Sequence, residues 1–263
     1  MQTGTYQKNM TLGSAIVDIL QMAKRSLIVF FKTPEKWFDV TLMPLIFMLM
    51  FTYLFGGAIS GDVKSYLPII VPGVFVQSMM SAASGAGTQL REDMETGVFD
   101  RFRSLPMARI APLAGLLVAD MVRYVISLAV SLGVGTLIGW RPEAGWGYAF
   151  IAILLVLLVT FAMSWLFALI GLLVKSASAV AALSQVGMMV LTFASGAFVP
   201  TTTMPKILQH IVSVNPVNHL ITAFKEVANH GQFTGEVTWV LLVSVAMVVV
   251  IAPITVMIYN KNV

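Results

Sequence analysis

Gly147-Tyr-Ala-Phe-Ile-Ala-Ile-Leu-Leu-Val-Leu-Leu-Val-Thr-Phe-Ala-Met-Ser-Trp-Leu-Phe-Ala-Leu-Ile-Gly-Leu-Leu-Val174 runs without one aspartate, glutamate, lysine or arginine. A helix that crosses the hydrocarbon of a bilayer needs about 20 predominantly apolar residues, and this stretch exceeds that length. Working outward, five further segments read the same way: 38–58, 66–90, 111–139, 178–199 and 237–259. The second is the most polar, with Pro68, Pro72, Gln77 and small residues from Ser81 to Thr88. Small residues let helix backbones approach closely, so this span is expected to face other helices or a pathway rather than lipid. Composition agrees: 58% of residues are hydrophobic, 11% are charged and the mean hydropathy is +0.88. A soluble domain carries charge on about a quarter of its residues, so a water-soluble enzyme is excluded. No internal repeat is visible.

The net charge of +4 does not point to nucleic acid. With the N-terminus inside, eleven of the sixteen lysines and arginines fall on the cytoplasmic side and four outside, with Arg123 within a span. This bias predicts an even number of spans in the cell inner (plasma) membrane, with both termini cytoplasmic. Trp37, Trp140, Trp146 and Trp239 lie near span ends, where interfacial aromatic anchors are expected. Cysteine is absent, which removes disulfides, thiolate metal sites and a cysteine nucleophile.

Residues 1–37 read as a cytoplasmic N-terminal segment, and 38–263 as the six-helix transmembrane domain. The first apolar run, Leu27 to Phe31, is too short for the core of a cleavable signal. Ile16, Ile19, Leu20, Ala23, Leu27, Phe30 and Phe31 instead recur at helical spacing, with Asp18, Lys24, Arg25 and Lys32 mainly on other faces. That pattern fits an amphipathic interface helix with Lys24 and Arg25 toward lipid phosphates. An ordinary helix packed on protein has the same pattern.

Two segments do not span. Between spans two and three lies Arg91-Glu-Asp-Met-Glu-Thr-Gly-Val-Phe-Asp-Arg-Phe-Arg-Ser-Leu-Pro106. Phe99, Phe102 and Leu105 recur every three residues, so a short helix ending near Pro106 would carry them on one drifting stripe. Such a helix is a peg for a groove on a soluble partner; a solvated loop whose charges only enforce topology is the other reading. Between spans five and six, two short extracellular re-entrant helices are expected. Thr203 caps the first, with Ile207, Leu208, Ile211 and Val212 as its apolar side. Asn215 caps the second, with Pro216 at its first position and Gly231 at its end. His210, His219 and His230 all lie here, nine and eleven residues apart rather than at the three or four typical of a helical metal pair. Metal binding is not expected, and interfacial hydrogen bonding is.

No phosphate-cradling motif is present. Gly171-Leu-Leu-Val-Lys175-Ser176 lacks the second glycine of the nucleotide loop and lies at a span end. The spans hold no histidine, and their acids are Asp39, near an end, and Asp120, so an intramembrane hydrolase lacks its paired groups. Asp120 and Arg123, three apart, can pair on one helix face. They read either as an intramembrane pair at a pathway or helix contact, or as a cytoplasmic extension in which Arg123 snorkels to the interface.

Three features occur in order: Glu95-Thr-Gly97-Val-Phe-Asp-Arg101-Phe-Arg103-Ser-Leu-Pro106; Asp120-Met-Val-Arg123; and Ser195-Gly-Ala-Phe-Val-Pro200 with Pro205, then Asn215-Pro216. Together they resemble the permeases of the ABC-2 family, particularly the daunorubicin-resistance type of drug exporter, over nearly the whole chain. The second span is more polar and the first acid cluster denser than in that pattern. The resemblance implies a non-catalytic, all-α membrane subunit that works as one of a pair, a homodimer or a heterodimer, with two cytoplasmic ABC ATPase subunits. ATP and Mg would bind those partners, and this chain would bind no cofactor. Glu95, Gly97, Phe99, Arg101, Phe102, Arg103 and Pro106 would form the coupling helix, and the helix with Lys24, Arg25, Phe30 and Phe31 would brace the same junction. The implied cargo is a hydrophobic or amphipathic compound such as a drug, an antibiotic or a lipid-like molecule. Export of a lipid-linked polysaccharide or teichoic acid is the alternative within the family. An ion-coupled secondary transporter fits less well, because it wants inverted repeats and midplane ionisable or broken-helix sites, and only the Asp120–Arg123 pair is visible.

Overall fold

The computed structural model of the protein describes residues 12–103 and 106–262, and in them the regular structure is helical throughout. Helix α1 is Leu12–Lys32; a turn at Pro34–Trp37 and a π-turn at Phe38–Leu42 lead into α2, Met43–Ser60. Then come α3 (Val63–Glu95), the short α4 (Val98–Arg103), α5 (Ala111–Ile138), α6 (Trp146–Leu173) and α7 (Ala177–Phe193). Two short helices follow, α8 (Lys206–Val214) and α9 (Pro216–Lys225), then a π-turn at Glu226–His230 and the last helix, α10 (Gly235–Asn262). Helices α2, α3, α5, α6 and α10 are long and apolar enough to cross a membrane. Helix α7 is also apolar but has 17 residues.

Helix α3 is the axis of the bundle. It packs against α2, α5, α6 and α7, while α6 also packs on α10 and α1 lies along α5. The apolar window of α3 is 67% buried, against 11% for α10. This explains why the most polar span is the innermost one: its neighbours are protein rather than lipid, and small residues serve close packing. A Cβ on Gly87 would lie 2.1 Å from the Phe167 carbonyl oxygen of α6, and one on Gly73 would lie 1.9 Å from that of Ala197. Pro68 and Pro72 sit inside α3 without ending it. Buried hydroxyls turn back onto their own helices: Ser78 donates to Val74 O, Thr160 to Val156 O and Ser244 to Val240 O, each at 2.7 Å. These three hydroxyls are thereby satisfied without leaving the apolar interior.

Three expectations are corrected. The fifth span was expected to reach residue 199, but α7 ends at Phe193. Ser195 Oγ donates to Thr192 O, and Asn215 Nδ2 donates to Leu191 O and Ala194 O, so side chains satisfy the terminal carbonyls that another helical turn would have used. Thr203 does not cap α8: it closes a 3-10 turn at Thr201–Thr203 by donating to Pro200 O, and α8 begins only after Pro205. Trp140 is buried rather than an exposed anchor. Gly139, at φ +115°, ends α5 in a conformation that favours glycine and turns the indole inward onto Phe75, ring centres 5.7 Å apart.

Candidate functional site

The residues expected to form the coupling helix lie where α3 passes into α4. Helix α3 runs to Glu95, and Gly97 at φ +68° makes the turn that starts α4. Glu95 thus ends the long helix rather than lying on the short one. Its Oε1 accepts from the Ala177 N–H at 2.9 Å and from Arg91 Nε at 3.3 Å, tying the start of α7 to the end of α3. Arg101 and Pro106 are exposed, whereas Phe102 is half-buried. Expected as a peg for a partner's groove, Phe102 packs inward on the cluster of Leu90, Leu113 and Trp165, with the Arg25 guanidinium 5.0 Å from its ring centre. Leu105 and the side chains of Phe99 and Arg103 lie outside the described residues.

Helix α1 has two apolar edges. Ala23 and Phe30 are buried along α5, while Ile16, Leu20 and Phe31 are exposed at 57%, 56% and 49%. It therefore packs on protein and still presents an apolar edge. Lys24 is exposed, and Arg25 reaches Asp93 Oδ2 of α3 at 3.9 Å. Phe30 and Phe31 both contact Trp37 where the chain turns toward α2, with ring centres 5.5 and 5.4 Å apart.

Asp120 and Arg123 form an ion pair on α5. The Asp120 side chain is fully buried and that of Arg123 is 15% exposed. The Phe30 ring covers the guanidinium, its centre 5.8 Å from Arg123 Cζ. The pair thus sits beneath α1, and Arg123 does not extend along the helix into solvent.

On the other side of Arg123 opens a cleft of about 310 Å³ between α3 and α7. Ser81, Ser84, Thr88 and Glu92 line it from one stripe of α3, with Gln89 beside them and Gln185 entering from α7. A smaller cavity holds Arg25, Phe30, Asp93 and Asp120; Gln89 and Arg123 line both spaces. The hydroxyl and amide spacing of residues 81–92 is visible in the sequence. Gln185, an isolated amide in an apolar helix, was missed, and pairing it with α3 requires the fold.

At the opposite end, α9 holds the irregular chain after α7. Asn218 Oδ1 accepts from the Gly196 N–H at 2.9 Å, and Lys225 Nζ donates to Gly196 O at 3.1 Å. From α3, Tyr66 donates to Phe198 O at 2.7 Å. Burial lowers the Lys225 ammonium to about 8. Asn215 caps α9 by accepting from the Val217 N–H. His219 is engaged at both ring nitrogens, Nδ1 with Glu236 Oε2 at 2.6 Å and Nε2 with Ser213 O at 3.0 Å, while His210 and His230 are exposed.

The model of the family described as ABC-2 type transporter matches residues 17–228. The chain is 41% identical over 250 residues to the daunorubicin resistance ABC transporter permease protein DrrB1 of Streptomyces coeruleorubidus, covering 95% of this chain and 88% of that one. It is 33% identical over 144 residues to the doxorubicin resistance ABC transporter permease protein DrrB of Mycobacterium tuberculosis, covering 52% of this chain and 50% of that one. It is 22% identical over 213 residues to the probable doxorubicin resistance ABC transporter permease protein DrrC of the same species, covering 80% of this chain and 76% of that one.

Proposed function

This chain belongs to the ABC-2 type transporter family, and on that premise we propose that it is the membrane subunit of an ATP-driven exporter. Two copies, identical or paired with a related chain, work with two separate ATPase subunits that bind ATP and Mg. Six helices cross the plasma membrane with α7 as the shortest, both termini are cytoplasmic, and α8 and α9 cover the outer end. Glu95 to Pro106 meets the ATPase. Closure of the ATPase dimer on ATP moves the two copies of α4 together, and only contacts that differ between the two states let this reopen the permease elsewhere.

The observation that carries this reading is the cleft between α3 and α7, whose wall includes Glu92 and whose neighbouring residue Glu95 anchors the α3–α4 junction. A path for cargo and a contact for a motor therefore share one helix end. The cargo is a hydrophobic or amphipathic compound of the drug, antibiotic or lipid-like kind, as the names of the similar permeases support. Among the described residues the lining of the cleft includes no aromatic side chain, which supports this cargo over a lipid-linked polysaccharide. Co-expression with the cognate ATPase should yield a complex with two permease chains by native mass spectrometry. Mg-dependent ATP hydrolysis by the purified permease alone would sink the proposal.

A further inference from the structure

We infer that His219 and Glu236 form a proton-held clasp that fastens the cap made by α8 and α9 to the start of α10. His219 lies on α9, and its Nε2 stands 3.0 Å from the Ser213 carbonyl oxygen at the end of α8. A carbonyl oxygen accepts and cannot donate, so Nε2 carries its hydrogen. A neutral ring then has a bare lone pair at Nδ1, yet Nδ1 stands 2.6 Å from Glu236 Oε2. An ionised carboxylate is also an acceptor alone. The contact therefore needs one additional proton between the two atoms, as imidazolium with carboxylate or as imidazole with carboxylic acid. Both forms hold the same number of protons, and loss of that proton sets two lone pairs against each other. The side chains are 17% and 33% exposed, so the pair exchanges protons with water.

The surroundings suit a charged ring. The Trp239 indole of α10 packs on His219 with ring centres 4.1 Å apart, and an aromatic face attracts a cation. The other ionisable groups on the elements around α9 are bonded elsewhere or exposed. Lys225 donates to Gly196 O, Glu226 accepts from Thr234, and Tyr66 of α3 donates to Phe198 O. Lys64 of α3, Tyr148 of α6, Lys206 and His210 of α8, and His230 of the π-turn are exposed, and α7 has no ionisable residue. Glu236 is thus the charged partner of His219. The bond matters because α8 has little else to hold it: Val212 is its one buried residue. Asn218, beside His219, accepts from the Gly196 N–H, so a shift of α9 reaches the chain that follows α7. Closure of this end of the bundle therefore depends on the protons in the water beside it.

The test uses the full chain in lipid nanodiscs. The chain has no cysteine, so Ile207→Cys on α8 and Leu242→Cys on α10, both exposed, give a pair of spin labels. Labelled chain is diluted with unlabelled chain, so that the distance lies within one copy. It is measured at about pH 5 and about pH 9, which span the range in which imidazole titrates. The parent should give one narrow distance in acid and a broad distribution in alkali. His219→Phe, which keeps a ring on Trp239 but has no nitrogen, should be broad at both. Glu236→Gln should be narrow at both, because its amide N–H donates to a neutral Nδ1 and its carbonyl accepts from a protonated one. Lys225, lowered by burial to about 8, also loses its proton over this span. If Lys225 drove the change, Glu236→Gln would broaden in alkali as the parent does. That result, an unchanged parent or a narrow distance in His219→Phe overturns the clasp. No ATPase enters the measurement, so failure of the clasp leaves the exporter reading standing, and failure of that reading leaves the clasp.

Discussion

Gly171 of α6 and Gly87 of α3 meet backbone to backbone: a Cβ on Gly171 would lie 2.4 Å from the Gly87 carbonyl oxygen and 2.9 Å from its Cα. The obstacle is main chain, so no rotamer change makes room. Gly171→Ala and Gly87→Ala should each destabilise the bundle by about 1–3 kcal/mol, as overpacking does. Gly187→Ala on α7, where a Cβ meets nothing within 4 Å, should be neutral or better. Thermal unfolding in detergent checks this; equal midpoints for all three variants would remove the close crossing.

The Asp120–Arg123 pair should behave as a coupled unit. Breaking a buried pair costs about 3–5 kcal/mol, whereas replacing both members by apolar residues can be nearly neutral. Asp120→Asn and Arg123→Leu should each lower folded yield, and the double variant should recover much of it. A double-mutant cycle on thermal stability reads the coupling. Small, additive effects would mean that each side chain is solvated independently.

These two predictions mark what the sequence does and does not make legible. Apolar length along the chain locates α2, α3, α5, α6 and α10, because in lipid each helix satisfies its own backbone. Glycine at 87 and at 171 is visible in the sequence, but their meeting is not, since it depends on how α3 crosses α6. The pairing of Asp120 with Arg123 follows from their spacing, whereas the covering ring of Phe30 comes from a distant helix. The end of α7 was misread because residues 194–199 are as apolar as a span. What stops the helix is hydrogen bonding by Asn215, more than twenty residues later. Phe102 carries the apolar signature of a surface peg, and only its packing on Leu90, Leu113 and Trp165, from three other helices, shows that it faces inward.

Phe102→Ala should therefore loosen α4 from α1 rather than simply remove a groove contact. Membrane insertion should be normal, and ATPase association should weaken by about 1–2 kcal/mol, the range of a partly desolvated cation–π contact. Affinity of detergent-purified permease for immobilised ATPase measures this, and parental affinity would show that α4 is held by other contacts.

Lys225 gives the far end a pH dependence. Its folded value of about 8 lies below the ordinary 10.5 because burial penalises the ammonium. Between those two values the unfolded chain holds a proton that the folded chain has released, so stability rises with pH through that window. Below about 8 the full cost of the buried charge remains. The melting temperature of the parent minus that of Lys225→Met should increase from pH 8 to pH 10.5. Parallel curves would place the amino group in water.

The central claim is that cargo movement through this chain is driven by ATP on another. Inside-out vesicles carrying the permease alone, the ATPase alone or both are given external Mg-ATP and daunorubicin, whose fluorescence reports uptake. Only vesicles with both chains should accumulate the dye, and vanadate should abolish the accumulation. Uptake by the permease alone under a proton gradient, or no uptake by the complete complex, would contradict the account.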